Sequence, residues 1–409
     1  MRGSRRARDE GPGSRRRPAP KCLSSRRGRS SFRAADLGYV GQRPRGGAGE
    51  TTVPSFPPVR RTGAIALARA SLFTLVSCLA VAPALRADEI SDLAALVSRD
   101  EIAARIAALE GERTTFEQRQ AAADAIETAL ESYGYTVARE LFSGGSNLIA
   151  WLRGDSQERL VVLGAHYDTV AGTPGADDDA SGVAAVLELA RVLAGHPRSN
   201  TIEFAFFDRG EPMREGSLQH AFTLSSAERE VLGMISLDSI GFRCTTPGCQ
   251  MPIADVPEAG CFTSTAAGVD VGDFVEVIGN AASQTQLQAF AAAAATYVPA
   301  LRVEESNVAA DGSCAERTRE SDQASFWDAE LPGLLASDTW SLRNPNHQTA
   351  TDTAATLDLD FTTDVTRATL AWAVTLAPEP GSALGAAAAC AALASLRRRR
   401  LTRGRRPSR

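Results

Sequence analysis

Basic charge is scarce in the body of the chain. Residues 62–396 hold 20 Arg or Lys against 45 Asp or Glu, a net of -25, although the 409 residues together are only at -5. The Arg surplus sits at the ends, +12 over residues 1–61 and eight Arg without an acid over 397–409. A body this acidic argues against nucleic acid as partner, because phosphate recognition needs a basic face. CxxC pairs are missing, which argues against a zinc site on sulfur. Seven cysteines are present, and Cys22, Cys78 and Cys390 fall in terminal segments. Cys244, Cys249, Cys261 and Cys314 remain, enough for one or two disulfides in an exported domain, with Cys244 and Cys249 expected to pair within one loop. No internal repeat is visible. Long apolar runs are absent too: the run from Leu72 to Leu85 is too short for a comfortable membrane span.

The length leaves room for one large domain or two ordinary ones. Residues 1–61, rich in Arg, Gly, Pro and Ser, read as a disordered basic leader, either dispensable sequence before a later translation start or a basic tail. Residues 62–87 read as a signal peptide: Arg60 and Arg61, the Leu72–Leu85 run, then Ala82-Pro83-Ala84 or Leu85-Arg86-Ala87 as the cleavage end. The 88–377 segment alternates helix and strand patterns. Helices are expected at Glu89–Leu109, Thr114–Ser132, Ser181–Leu193, Gly216–Leu224, Gln284–Tyr297 and Asp364–Leu376. Strands are expected at Val137–Leu141, Asn147–Leu152, Leu160–Leu163, Thr201–Phe207, Leu232–Leu237, Asp273–Ile278 and Gly333–Ala336. This order predicts an α/β fold, a mostly parallel mixed sheet with helices on both faces. Phe242–Cys261 reads as a long surface loop near one end of the sheet.

Histidine is scarce, with four in the chain. His196 lies in a Gly-Pro turn and His220 on a helix, expected to be surface or packing residues. His166 and His347 lie in loops with aspartate nearby. His166 and Asp168, Asp208 and Glu211, and Asp238 follow three of the strands, where open α/β sheets bind ligands. Imidazole with carboxylate suits zinc, with manganese or cobalt as alternatives. Each histidine could equally be an ordinary loop residue. Asp177, Asp178 and Asp179 repel one another unless a cation offsets them. They could also be acids favoured by a helix start.

The stretch Gly164-Ala165-His166-Tyr167-Asp168, then Pro174 to Gly182 with its three aspartates, resembles the M28 family of zinc peptidases. So do Phe206-Phe207-Asp208 through Glu211, Leu237-Asp238-Ser239-Ile240-Gly241, Asn344-Pro345-Asn346-His347-Gln348-Thr349, Asp352-Thr353 and Thr356-Leu357-Asp358. The resemblance implies a zinc-aminopeptidase-like fold holding two Zn2+ ions and acting on peptide substrates. His166 and Asp238 would bind one ion, Glu211 and His347 the other, and Asp178 would bridge them. Asp168 would orient His166. In the family two glutamates stand in a row, the first a general base and the second a ligand; here Gly210 occupies the base position. Glu215 is a candidate to reach in instead, and on this reading Gly210→Glu raises activity. Gln323 stands where the family often has histidine. Asp338 and Arg343 could face the cleft or form a surface salt bridge. Two other functions fit the pattern: a metal-binding pseudoenzyme or peptide-binding envelope protein, and a glutaminyl cyclase-like zinc enzyme.

The 378–409 segment carries Pro378-Glu379-Pro380, an apolar stretch from Ala383 to Leu396, and Arg397–Arg400. This order resembles a PEP-CTERM sorting signal. It implies export to the bacterial cell envelope or outside it, with a C-terminal helix entering the membrane before sorting.

Overall fold

The apolar run Leu160–Leu163 forms the middle of strand β3 (Ser156–His166) in the computed structural model, which describes residues 89–211 and 213–381. Side chains leave a strand on alternate faces. Val161, Leu163 and Ala165 accordingly enter one core, and Leu160 and Val162 another. A strand apolar on both faces must be covered on both. Strands β4 (Asn200–Phe207) and β5 (Glu230–Leu237) flank β3, each parallel to it.

The other strands are β1 (Val137–Phe142), β2 (Gly145–Leu152), β6 (Phe262–Ser264), β7 (Phe274–Asn280), β8 (Arg302–Val308) and β9 (Gly333–Ser337). All nine form one sheet in the order β1-β2-β4-β3-β5-β9-β7-β8-β6. The pairs β3–β4, β3–β5, β5–β9 and β7–β8 are parallel; the remaining four are antiparallel. The expected α/β class with a mixed sheet is therefore observed, its central strands β4, β3, β5 and β9 all parallel.

Helices α1 (Arg99–Leu109), α2 (Phe116–Ser132), α3 (Gly182–Leu193), α5 (Gln284–Tyr297) and α7 (Leu359–Leu376) pack on one face. Helices α4 (Glu215–Ser226) and α6 (Gln323–Asp328) contribute Ala221, Leu224 and Phe326 to the core on the other. Trp372 of α7 is fully buried and lies against Gly233, where a side chain would meet its ring. Removing such a ring typically costs about 3–5 kcal/mol.

The single helix expected over Glu89–Leu109 is interrupted at 96–98. Ser98 explains the break: its N–H donates to Glu188 Oε1 at 2.5 Å while its hydroxyl accepts from Glu101 N and starts α1. A side chain that offers the backbone an alternative partner caps one helix by ending another. Helix α7 begins earlier than expected because Asp358 accepts from Phe361 N at 3.0 Å. The Phe242–Cys261 loop is irregular as anticipated, with single turns at Ile253–Asp255 and Ala259–Cys261. Disulfides join Cys244 to Cys249 and Cys261 to Cys314. The second ties the loop to the segment before α6.

The leader at 1–61, the signal peptide at 62–87, and the apolar stretch and Arg cluster of the C-terminal segment lie outside the described residues. No described helix is long and apolar enough to cross a membrane.

Candidate metal centre

Three parallel strands deliver polar residues to the same end of the sheet. His166 is the last residue of β3, Asp208 to Glu211 follow β4, and Asp238 follows β5. The fourth contributor is the tight turn Ala176–Ser181 leading into α3. His166, Asp178 and Asp238 are all buried, and one ligand atom from each lies within 4.8 Å of the others. His166 Nε2 is 3.2 Å from Asp178 Oδ1 and 3.9 Å from Asp238 Oδ2. The second Asp178 oxygen faces another imidazole, His347 Nδ1, at 3.5 Å. Glu211, Gly210, Glu320, Trp340 and Gln348 line the same pocket.

The three adjacent aspartates do three different things. Asp177 accepts from Gly241 N at 2.8 Å and Asn344 Nδ2 at 2.6 Å. Asp179 accepts from His166 N at 3.2 Å, Gly182 N at 3.0 Å and Ser239 N at 3.3 Å. Only Asp178 of the three lines the pocket. Its own N–H, and that of Asp177, donate to Asp352, which fixes the turn from the far side of the chain. Neither alternative drawn from the sequence described the triplet as a whole: two members hold backbone and one faces the pocket.

Asp168 holds both sides of the site. Its Oδ1 faces His166 Nδ1 at 3.3 Å and accepts from Gly210 N at 2.7 Å; its Oδ2 accepts from Glu211 N at 3.2 Å. Gly210 is thereby drawn against the imidazole. A β-carbon there would overlap His166 Cβ and lie 2.5 Å from its Cγ. The expectation that Gly210→Glu raises activity is therefore corrected: a side chain at this position meets the histidine it was meant to serve. Glu215 does not fill in either, because both its oxygens accept from Arg209 at 2.7 and 2.8 Å.

Electrostatics fit a cation. Burial disfavours a charge on His166, yet hydrogen bonds with Asp168 and Asp178 and the charges of Asp179 and Asp238 outweigh it and raise its pKa well above the usual value. Burial, then the charge of Asp178, pushes Glu211 up to about 8. These groups compensate excess negative charge by keeping protons that a metal would displace. His347 Nδ1 is buried without a hydrogen-bond partner. Two imidazoles and three carboxylates form a nitrogen and oxygen donor set of the kind zinc takes. The residues therefore fit one or more divalent ions.

Other positions differ from expectation. Of the two roles expected for His220, packing is the one observed: it is buried, with Nδ1 3.0 Å from Glu140 and Nε2 2.7 Å from Glu203. Asp338 and Arg343 form no surface pair, since both are buried. Asp338 accepts from Phe242 N and Trp340 N, and Arg343 donates to Gln250, Phe242 O and Phe274 O. Gln323 is buried outside the pocket lining and donates to Thr318 O at 2.6 Å. Two contributors escaped sequence reasoning. Trp340 Nε1 donates to Asp238 Oδ1 at 3.1 Å, and buried Arg113 clasps the carbonyls of Tyr167, Pro174 and Gly175 around the turn. Asp352 was visible only as part of a motif.

The model of "Peptidase family M28" matches residues 147–373. The uncharacterized protein YfbL of Escherichia coli K12 is 28% identical over 221 residues, which are 50% of this chain and 63% of that protein. A probable zinc metalloprotease of Pyricularia oryzae is 37% identical over 116 residues, covering 26% of this chain and 23% of the relative. The chain thus spans under two thirds of the length of both. Among solved structures, an aminopeptidase from Aneurinibacillus sp. strain AM-1 superposes with a TM-score of 0.56 at 16% identity, over 72% of this chain and 97% of that one. At that identity the likeness speaks to the fold.

Proposed function

The chain belongs to peptidase family M28, and from that premise we propose that it is a two-zinc aminopeptidase that releases residues from free amino termini of peptides. The observation that carries the two-ion reading is Asp178, whose two oxygens face two different imidazoles, His166 and His347. His166 and Asp238 would hold one ion, Glu211 and His347 the other, and Asp178 both. Ions held there would supply Lewis acidity and lower the pKa of water. The protein's own contribution is positional. Asp168 fixes the His166 ring and, through the Gly210 and Glu211 amides, the loop that presents Glu211. Outer partners of this kind tune metal affinity by about 10–100-fold. Trp340 and Ser239 hold Asp238 from behind.

Gly210 favours a second reading, a metal-binding pseudoenzyme. Loss of a general base costs roughly 10²–10⁴-fold. The test is turnover of amino-acyl p-nitroanilides by the zinc-loaded full chain, with N-acetylated counterparts as controls. The aminopeptidase reading expects release from the free-amine substrates only. Two bound ions with no turnover above free zinc would favour the pseudoenzyme. Export is part of the proposal, supported by the order of the terminal segments and by the two disulfides of the domain.

A further inference from the structure

We propose that Glu320 is the proton-transferring carboxylate of this site, lining the same pocket as Gly210, whose own position carries none. The inference rests on the aminopeptidase reading and supplies what that reading lacks. Four carboxylates line the pocket: Asp178, Asp238, Glu211 and Glu320. The first three are committed to the metal set. Glu320 accepts no hydrogen bond and forms no ion pair among the described residues, so its oxygens are free to take a proton.

Its placement suits the task. Glu320 lines one pocket with His347 of one ligand set and Asp238 of the other. Glu320 sits at the exposed mouth, yet its backbone is braced. Ser321 Oγ lies 3.1 Å from Ser236 Oγ of β5, Gln323 donates to Thr318 O, and the Cys261–Cys314 disulfide ties down the segment just before it. The other nearby acids are occupied or out of reach. Both Asp168 oxygens accept backbone N–H groups, Glu215 is held by Arg209, and Asp322 is buried outside the pocket lining.

The step balances. Water gives one proton to Glu320 as its oxygen bonds the carbonyl carbon. Glu320 passes that proton to the amide nitrogen as the C–N bond breaks, leaving a carboxylic acid, an amine and an unprotonated Glu320. A positioned base contributes about 10²–10⁴-fold.

The experiment compares the zinc-loaded full chain with Glu320→Gln and Glu320→Asp, measuring kcat and KM on leucine p-nitroanilide and, separately, zinc affinity by competition with a chromophoric chelator. The proposal expects Glu320→Gln to lower kcat at least about 100-fold, with KM and zinc affinity within a factor of about three, and Glu320→Asp to keep part of the rate. A rise in KM at unchanged kcat would make Glu320 a clamp for the substrate ammonium and overturn it. A loss of zinc would make it a metal ligand and also overturn it. Active parent enzyme with an equally active Glu320→Gln would overturn this proposal alone, whereas an inactive zinc-loaded parent would overturn the aminopeptidase reading with it.

Discussion

Two histidines in this fold stand between carboxylates, and they differ in what is left over. His220 has Glu140 at one nitrogen and Glu203 at the other, in a buried cluster that closes on itself. His166 has Asp168 at Nδ1 and Asp178 at Nε2, with Asp238 and Asp179 adding further charge and the pocket opening beside it. Both imidazoles are held protonated by their surroundings, His220 up to about 10 and His166 well above its usual value. The lesson is that a His–carboxylate contact does not mark a metal site. What sets the His166 cluster apart is surplus negative charge beside a pocket that a second imidazole, His347, also lines.

The comparison breaks most visibly at Asp178. Asp178→Ala should abolish binding of both ions at micromolar zinc, since each set shares this residue; isothermal titration reads it. Asp168→Ala is expected to weaken zinc by about 10–100-fold, because it releases both the His166 ring and the Glu211 loop. Gly210→Ala crowds His166 and should destabilise the fold by about 1–3 kcal/mol, with lower rather than higher peptidase rate; denaturant melts and turnover together check this. His220→Gln should leave zinc affinity within a factor of about two while lowering thermal stability.

The two clusters also respond to pH with opposite signs. Burial opposes the charge on His220, but Glu203 and Glu140 overcome it and raise its pKa. Its stabilisation is therefore complete below the unfolded value of about 6.5 and is lost as pH rises through about 10. Zinc affinity should instead increase with pH, as His166 and Glu211 give up the protons that compete with metal. Stability of the His220→Gln variant relative to the parent, measured from pH 6 to 10, separates the two trends.

Much of this architecture was legible in the chain. The continuous apolar run Leu160–Leu163 marked β3, while β4 and β5 were expected at nearly their observed bounds, and α5 ran over the expected Gln284–Tyr297. Strand β8 was missed because Arg302, Glu304 and Glu305 interrupt its apolar pattern near the sheet edge. The residues brought together in the pocket were named from motifs, not from periodicity. Their environment could not be. That Gly210 packs on His166, that Trp340 steadies Asp238 and that Glu320 faces the pocket depend on contacts between segments far apart in sequence.

Metal stoichiometry tests the sharing of Asp178 most directly. The full chain, dialysed against zinc and analysed by atomic emission, should carry two ions, and Asp178→Ala should carry none. Full occupancy in the variant, or an empty parent protein, would contradict the account.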